Sequence, residues 1–248
     1  MKLFENRWNR TFLLAGIASL VYMSFSFRPS SAAKPAGGVM TLSAMAAIDE
    51  KLALYDSLDL EALGLKREAF VYALKGFKNL LIQGKIHKDN LLSILDFSLP
   101  SGKKRFFVID LESEELVFHT YASHGKKSGT AIPTQFSNKT NSNKSSLGFY
   151  VTGDTYQGKH GQSLRLLGEE NGINNNAMKR GIVMHSASYV DEQIIAQQGF
   201  IGRSQGCPAI PKDVSKEVIE KIKNGSCLFI YSPDKYYVSH SKMIREKA

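Results

Sequence analysis

Two residues in this chain could pair a nucleophile with a base. Cys207 sits in Gly202-Arg-Ser-Gln-Gly-Cys-Pro-Ala, and His185, in Gly-Ile-Val-Met-His-Ser-Ala-Ser-Tyr, precedes it by 22 positions. A thiol is a useful nucleophile near neutral pH because a small fraction is already ionised, and a neighbouring imidazole raises that fraction. Gly206 permits positive φ or close approach of backbone to a substrate. Pro208 removes a donor and stiffens the chain just after the thiol. Such a turn can aim the sulfur and successive N–H groups at one carbonyl oxygen, as an oxyanion hole requires. On residue types alone a second reading stays open: Cys207 is a packed turn residue and His185 a satisfied core histidine.

The other cysteine, Cys227, lies in Cys-Leu-Phe-Ile-Tyr, which reads as a buried strand carrying an inert thiol. Two cysteines in 248 residues make no disulfide framework. His185 and Cys207 lack further ligands at finger-like spacing, so no metal site and no cofactor is expected.

These residues need elements to hold them. From Met45 to about residue 85, apolar residues return at three and four positions, which predicts two helices joined at Leu63-Gly64-Leu65, the second ended by Gly84. After Asp89 the texture is strand-like: Leu91–Phe97, Arg105–Leu111, Glu115–Ser123, Leu147–Gly153, Ser163–Leu167, Ile182–His185 and Cys227–Tyr231 are short apolar or alternating runs between turn residues. His185 directly follows one such run, so it should sit at the mouth of a strand. One further helix is expected at Lys212–Lys223. Residues 126–146, rich in Ser, Asn, Thr and Lys, read as a long surface loop, a length that is usually functional or mobile. The fold class is mainly β (α+β) with an N-terminal helical attachment.

Basic Lys2, Arg7 and Arg10 precede an uncharged run from Thr11 to Phe27, followed by Arg28, Pro29 and the small residues Ser31-Ala32-Ala33. That order is the one of a signal peptide or an uncleaved membrane anchor. The expected organisation is therefore 1–33 signal or anchor, 34–44 linker, 45–90 helical segment, 91–235 catalytic domain and 236–248 basic tail. The formal charge is +9. Nucleic acid is not the expected partner of an exported protein; an anionic wall or membrane surface is one it would meet. Contact with a membrane is expected only through the N-terminal segment, if it is retained.

His185 with the downstream Ser204-Gln205-Gly206-Cys207 resembles the signature of the L,D-transpeptidase catalytic domain, in which a histidine precedes Ser/Thr-His-Gly-Cys. Asp110-Leu111, Ser123-His124-Gly125, Phe136-Ser137-Asn138, Ser145-Ser146-Leu147-Gly148-Phe149-Tyr150 and Gly158-Lys159-His160-Gly161 look like a branch of that family from Gram-negative and related bacteria. The resemblance spans roughly residues 45–235 and implies a β-sandwich or mixed sheet. It implies Cys207 as nucleophile, His185 as base, Ser186 as the residue whose carbonyl orients the histidine, and Gly206 with Cys207 as the turn supplying oxyanion donors. Two departures touch the substrate site: Gln205 replaces the usual histidine, and Pro208-Ala209 replace the usual polar or basic residues. Arg203 is a candidate carboxylate-binding residue, with Ser204, His124, His160, Tyr156 and Asn138 as further substrate-binding candidates.

The implied activity is transfer of a tetrapeptide stem of peptidoglycan to an amine through a cysteinyl thioester with release of D-alanine, in the periplasm or cell envelope. Carbapenem acylation of Cys207 is implied as well. L,D-carboxypeptidase activity, with water as acceptor, and a non-catalytic wall-binding role are the alternatives. Papain-like hydrolases place the Cys before the His. Sortases carry a longer gap and an arginine after the thiol.

Overall fold

The computed structural model describes residues 50–245. The expected signal or anchor and the linker lie outside the described residues. The described residues belong to one compact unit, so the helices expected as an attachment are a layer of the same core. A short helix α1 (Leu54–Ser57) and the long α2 (Arg67–Ile82) open it. Gly64 and Gly84, both at positive φ, end the two helical stretches.

The strands are β1 (Leu91–Asp96), β2 (Phe106–Asp110), β3 (Glu115–Thr120), β4 (Gly148–Gly158), β5 (Gly161–Gly168), β6 (Val183–Ser186), β7 (Ala209–Ile210) and β8 (Cys227–Tyr231). They form one mixed eight-stranded sheet in the order β3-β2-β1-β8-β4-β5-β6-β7. The last strand therefore lies in the middle, parallel to β1 and antiparallel to β4. Every residue of β1, β2 and β8 is buried. That explains their largely apolar, non-alternating texture, since a strand covered on both faces has no need to alternate. β3, at the edge, is half-exposed along most of its length.

Helix α2 buries Phe70, Ala73, Leu74, Phe77 and Leu80, the stripe expected from the three-and-four spacing. Gly76 brings the helix against Phe149 of β4: a Cβ there would stand 2.0 Å from the ring. Phe149 cannot retreat, because its ring stacks on Phe229 of β8 at 4.2 Å. Two short helices escape the sequence reading, α3 (Glu192–Gln198), capped by the Asp191 side chain, and α5 (Lys235–His240). The expected C-terminal helix is α4 (Lys212–Ile222).

Residues 236–245 are no basic tail. Tyr237, Ser241, Met243 and Ile244 are buried, and Tyr237 Oη donates to Glu170 at 3.1 Å. Ser241 also donates to that carboxylate, whose pKa burial pushes up. The apolar residues spaced through the segment outweigh its charges.

Gly76→Ala tests the close approach of α2. Helix propensity alone predicts a gain of about 1 kcal/mol; overpacking against Phe149 predicts a net loss of roughly 1–3 kcal/mol. Chemical denaturation should show the loss.

Candidate active site

The sheet delivers His185 and Cys207 to one place by its last two strands. β6 pairs with β5 on one side, Ser163 opposite His185, and in parallel with β7 on the other, His185 opposite Ala209. Cys207 stands two residues before Ala209, in the turn that leads into β7. Only two residues form that strand, so hydroxyl groups finish the work of a ladder. Ala209 N–H donates to Ser123 Oγ at 3.2 Å, and Ser123 N–H donates to Ala209 O at 2.8 Å. Ser204 Oγ accepts from Gly206 N–H at 3.0 Å and donates to Cys207 O at 2.6 Å. Ser145 Oγ donates to Gly206 O at 3.2 Å. Gly206 takes φ +128°, and a Cβ there would lie 2.8 Å from Lys144 O, so only glycine fits.

Cys207 is partly exposed and opens on a cavity of about 610 Å³ shared with His185. Its Sγ accepts from Val183 N–H at 3.5 Å and donates to Gly181 O at 3.6 Å. Burial pushes the thiol pKa up, against the opposing pull of the Val183 N–H and the Arg180 charge. In the resting state burial therefore opposes the rise in ionised fraction that a neighbouring imidazole was expected to bring. His185 Nδ1 lies 2.8 Å from Ser186 O. A carbonyl only accepts, so Nδ1 carries the proton and Nε2 keeps its lone pair. Burial, then the neighbouring His160, hold the His185 pKa below its ordinary value, while the Ser186 carbonyl pulls it up. The rings of His160 and His185 stack at 4.5 Å.

Arg180 was not legible as a site residue. Its half-buried guanidinium donates to Ser137 O at 2.7 Å, to Ser142 Oγ at 3.2 Å, to Ser146 Oγ and to Lys144 O. It thereby pins the 137–146 stretch beside the Cys207 turn and lines the cavity. The surrounding signal was Lys-Arg placed directly before an apolar strand, which does not distinguish a solvated charge from a buried one. Tyr189 also lines the cavity; a Cβ on Gly202 would come within 2.5 Å of the Tyr189 Cβ.

Residues 61–231 match the family model of the L,D-transpeptidase catalytic domain. The chain belongs to that family. The solved structures it resembles include an L,D-transpeptidase from Mycobacterium smegmatis, 15% identical with a TM-score of 0.36, over 58% of this chain and 59% of that one. An L,D-transpeptidase from Mycobacterium tuberculosis H37Rv is 14% identical, with a TM-score of 0.37 over 58% of each chain. L,D-transpeptidase 3 from Mycobacterium tuberculosis, in complex with a faropenem-derived adduct, is 11% identical, with a TM-score of 0.37 over 58% of this chain and 60% of that one. The chain spans about three fifths of the length of these structures. No curated protein sequence matches it. Membership rests on the family match, since structures this distant carry no argument.

In this L,D-transpeptidase domain the remaining candidates divide. Arg203, Ser204, Gln205, His160 and Tyr156 line the same cavity as Cys207 and His185, Tyr156 beneath the Arg165 guanidinium at 4.5 Å. Ser186 touches the site through its carbonyl. Three expectations need correction. Gly206 offers no oxyanion donor, because its N–H is held by Ser204 Oγ; the Cys207 N–H has no hydrogen-bond partner among the described residues. Asn138 is spent on the loop, bonding Asn175 and Asn176 through both ends of its amide. His124 is fully buried. Its Nδ1 accepts from Arg105 Nη2 at 2.8 Å, and Nε2 donates to Gly129 O at 3.2 Å. Among the described residues no group of His, Cys, Asp or Glu could hold a metal ion.

Burial first, then Arg105, pulls the His124 pKa from 6.5 to about 4. The unfolded chain therefore takes this proton before the folded one. The contribution of His124 to stability is complete above 6.5 and lost as pH falls towards 4, by an amount on the order of 3 kcal/mol. An NMR titration should put its midpoint near 4; a midpoint near 6.5 would contradict the buried Arg105–His124 contact. Alkylation of Cys207 across pH should give a midpoint above the ordinary 9.0. Arg180→Met should move that midpoint higher and Arg180→Lys move it less.

Proposed function

We propose that Cys207 and His185 are the nucleophile and base of a peptidoglycan L,D-transpeptidase that works in the periplasm or cell envelope. The observation that supports this best is the Nδ1–H bond of His185 to Ser186 O at 2.8 Å. It leaves Nε2 basic in the cavity that Cys207 shares. Because burial raises the thiol pKa and lowers the imidazole pKa, the resting pair is neutral rather than a thiolate–imidazolium ion pair. Proton transfer then accompanies attack, as general-base catalysis requires.

In this reading a tetrapeptide stem places the carbonyl carbon of its third residue against Sγ. The thiol swings its proton from Gly181 O to His185 Nε2 while the sulfur forms a C–S bond. The carbonyl π electrons move onto oxygen, where the unpartnered Cys207 N–H is the available donor. Collapse breaks the C–N bond, and His185 returns the proton to the departing D-alanine amine. An amine of a second stem then attacks the thioester, His185 takes its proton, and Cys207 leaves as a thiol after reprotonation. Water in the same place gives L,D-carboxypeptidase activity. Carbapenem acylation of Cys207 would use the same first step, a ring C–N bond replacing the peptide bond.

Tetrapeptide muropeptides incubated with residues 34–248 should lose D-alanine and give dimers, with tripeptide as the product of hydrolysis. Cys207→Ala should lower both by at least about a thousandfold while the domain stays folded. The same variant should show no mass gain with a carbapenem where the wild type does. Full turnover by Cys207→Ala would overturn the reading.

A further inference from the structure

The cavity around Cys207 is lined by Lys126, Lys159, Arg180 and Arg203 and by no aspartate or glutamate. Arg180 has its donors engaged by the protein. The other three are exposed, and none has a carboxylate partner among the described residues. Arg203 gives one nitrogen to Gly129 O at 3.0 Å, which aims the guanidinium and leaves the rest of its fork free. The three cations come from separate parts of the chain: the loop after β3, the β4–β5 turn and the stretch before Cys207.

The sequence keeps acids away from them. None occurs between Glu115 and Asp154, between Glu170 and Asp191, or between Glu192 and Asp213. The acids that interrupt these stretches are engaged elsewhere. Asp154 pairs with Arg165 at 3.1 Å and Glu169 with Lys85. Glu170 is buried under Tyr237 and Ser241. Asp191 caps α3, and Glu192 accepts from Tyr121. Three unpaired cations around one concave site repel one another, which costs stability unless an anion is bound.

We propose that Lys126, Lys159 and Arg203 form a carboxylate-reading rim, so that the enzyme selects stem peptides whose side carboxylates are free over stems in which they are amidated. This rests on the L,D-transpeptidase reading and adds to it which chemical form of the stem is used. Each free carboxylate gains a charge-assisted bond at the rim; an amide gains no such bond and leaves the cation unpaired.

The test uses two tetrapeptide stems that differ only in having the carboxylates of their second and third residues free or amidated. The free-acid stem should have a kcat/KM at least about tenfold higher, carried by KM and shrinking as salt is raised. Lys126→Gln, Lys159→Gln and Arg203→Gln combined should bring the ratio of the two stems near one. Because all three are exposed, thermal melting should show the combined variant folded. Binding of both stems to Cys207→Ala by calorimetry reads the preference without turnover. Equal kcat/KM or equal binding for the two stems would overturn the rim while leaving the transpeptidase reading intact. Preferential binding of the acid stem without any D-alanine release would support the rim and overturn the catalytic reading.

Discussion

The site depends on the parallel pairing of β6 with a strand of only two residues. His185 lies opposite Ala209, and this register, with the turn before β7, puts the Cys207 sulfur at the Val183 N–H. Two residues cannot secure a strand by backbone bonds, so Ser123, Ser204 and Ser145 supply the missing ones from their side chains. The small hydroxyl residues gathered around the Cys207 turn are therefore scaffolding. Each hydroxyl both donates and accepts, and can close a turn that a purely backbone pattern would leave open.

Around that register the protein builds a neutral, partly desolvated pair. Burial acts in opposite directions on the two groups because it disfavours whichever form is charged: it raises the thiol and lowers the imidazole. Arg180 offsets part of the penalty on the thiol, and its bonds to Ser137, Ser142 and Lys144 hold the long loop against the turn. One guanidinium thus links the electrostatics of the Cys207 thiol to the shape of the cavity wall. The second buried cation, Arg105, does comparable work further back, fixing the neutral tautomer of His124 beneath the start of the same loop.

What was legible followed from local pattern. The seven expected strands, the helix after Pro211 and the paired His185 and Cys207 all announce themselves by period, turn residues or residue chemistry. α3 escapes the sequence reading because none of its residues is buried, so the apolar period that marks a helix is absent. The C-terminal segment reads as a basic tail because Lys242, Arg245 and Lys247 outnumber its single acid, Glu246, whereas Tyr237, Met243 and Ile244 decide where it packs.

By itself the sequence determined most of the elements, their buried faces and the candidate pair His185 and Cys207, since these depend on neighbours a few positions away. Tertiary structure alone decided that β8 threads the middle of the sheet, that Gly206 N–H belongs to Ser204, and that His124 and Asn138 serve the scaffold. It also decided that Arg180 and three unpaired cations surround the thiol. The physical reason is one of range. Periodicity fixes which face of a segment is buried, but desolvation, charge proximity and hydrogen-bond partners are set by whichever distant segments arrive beside it.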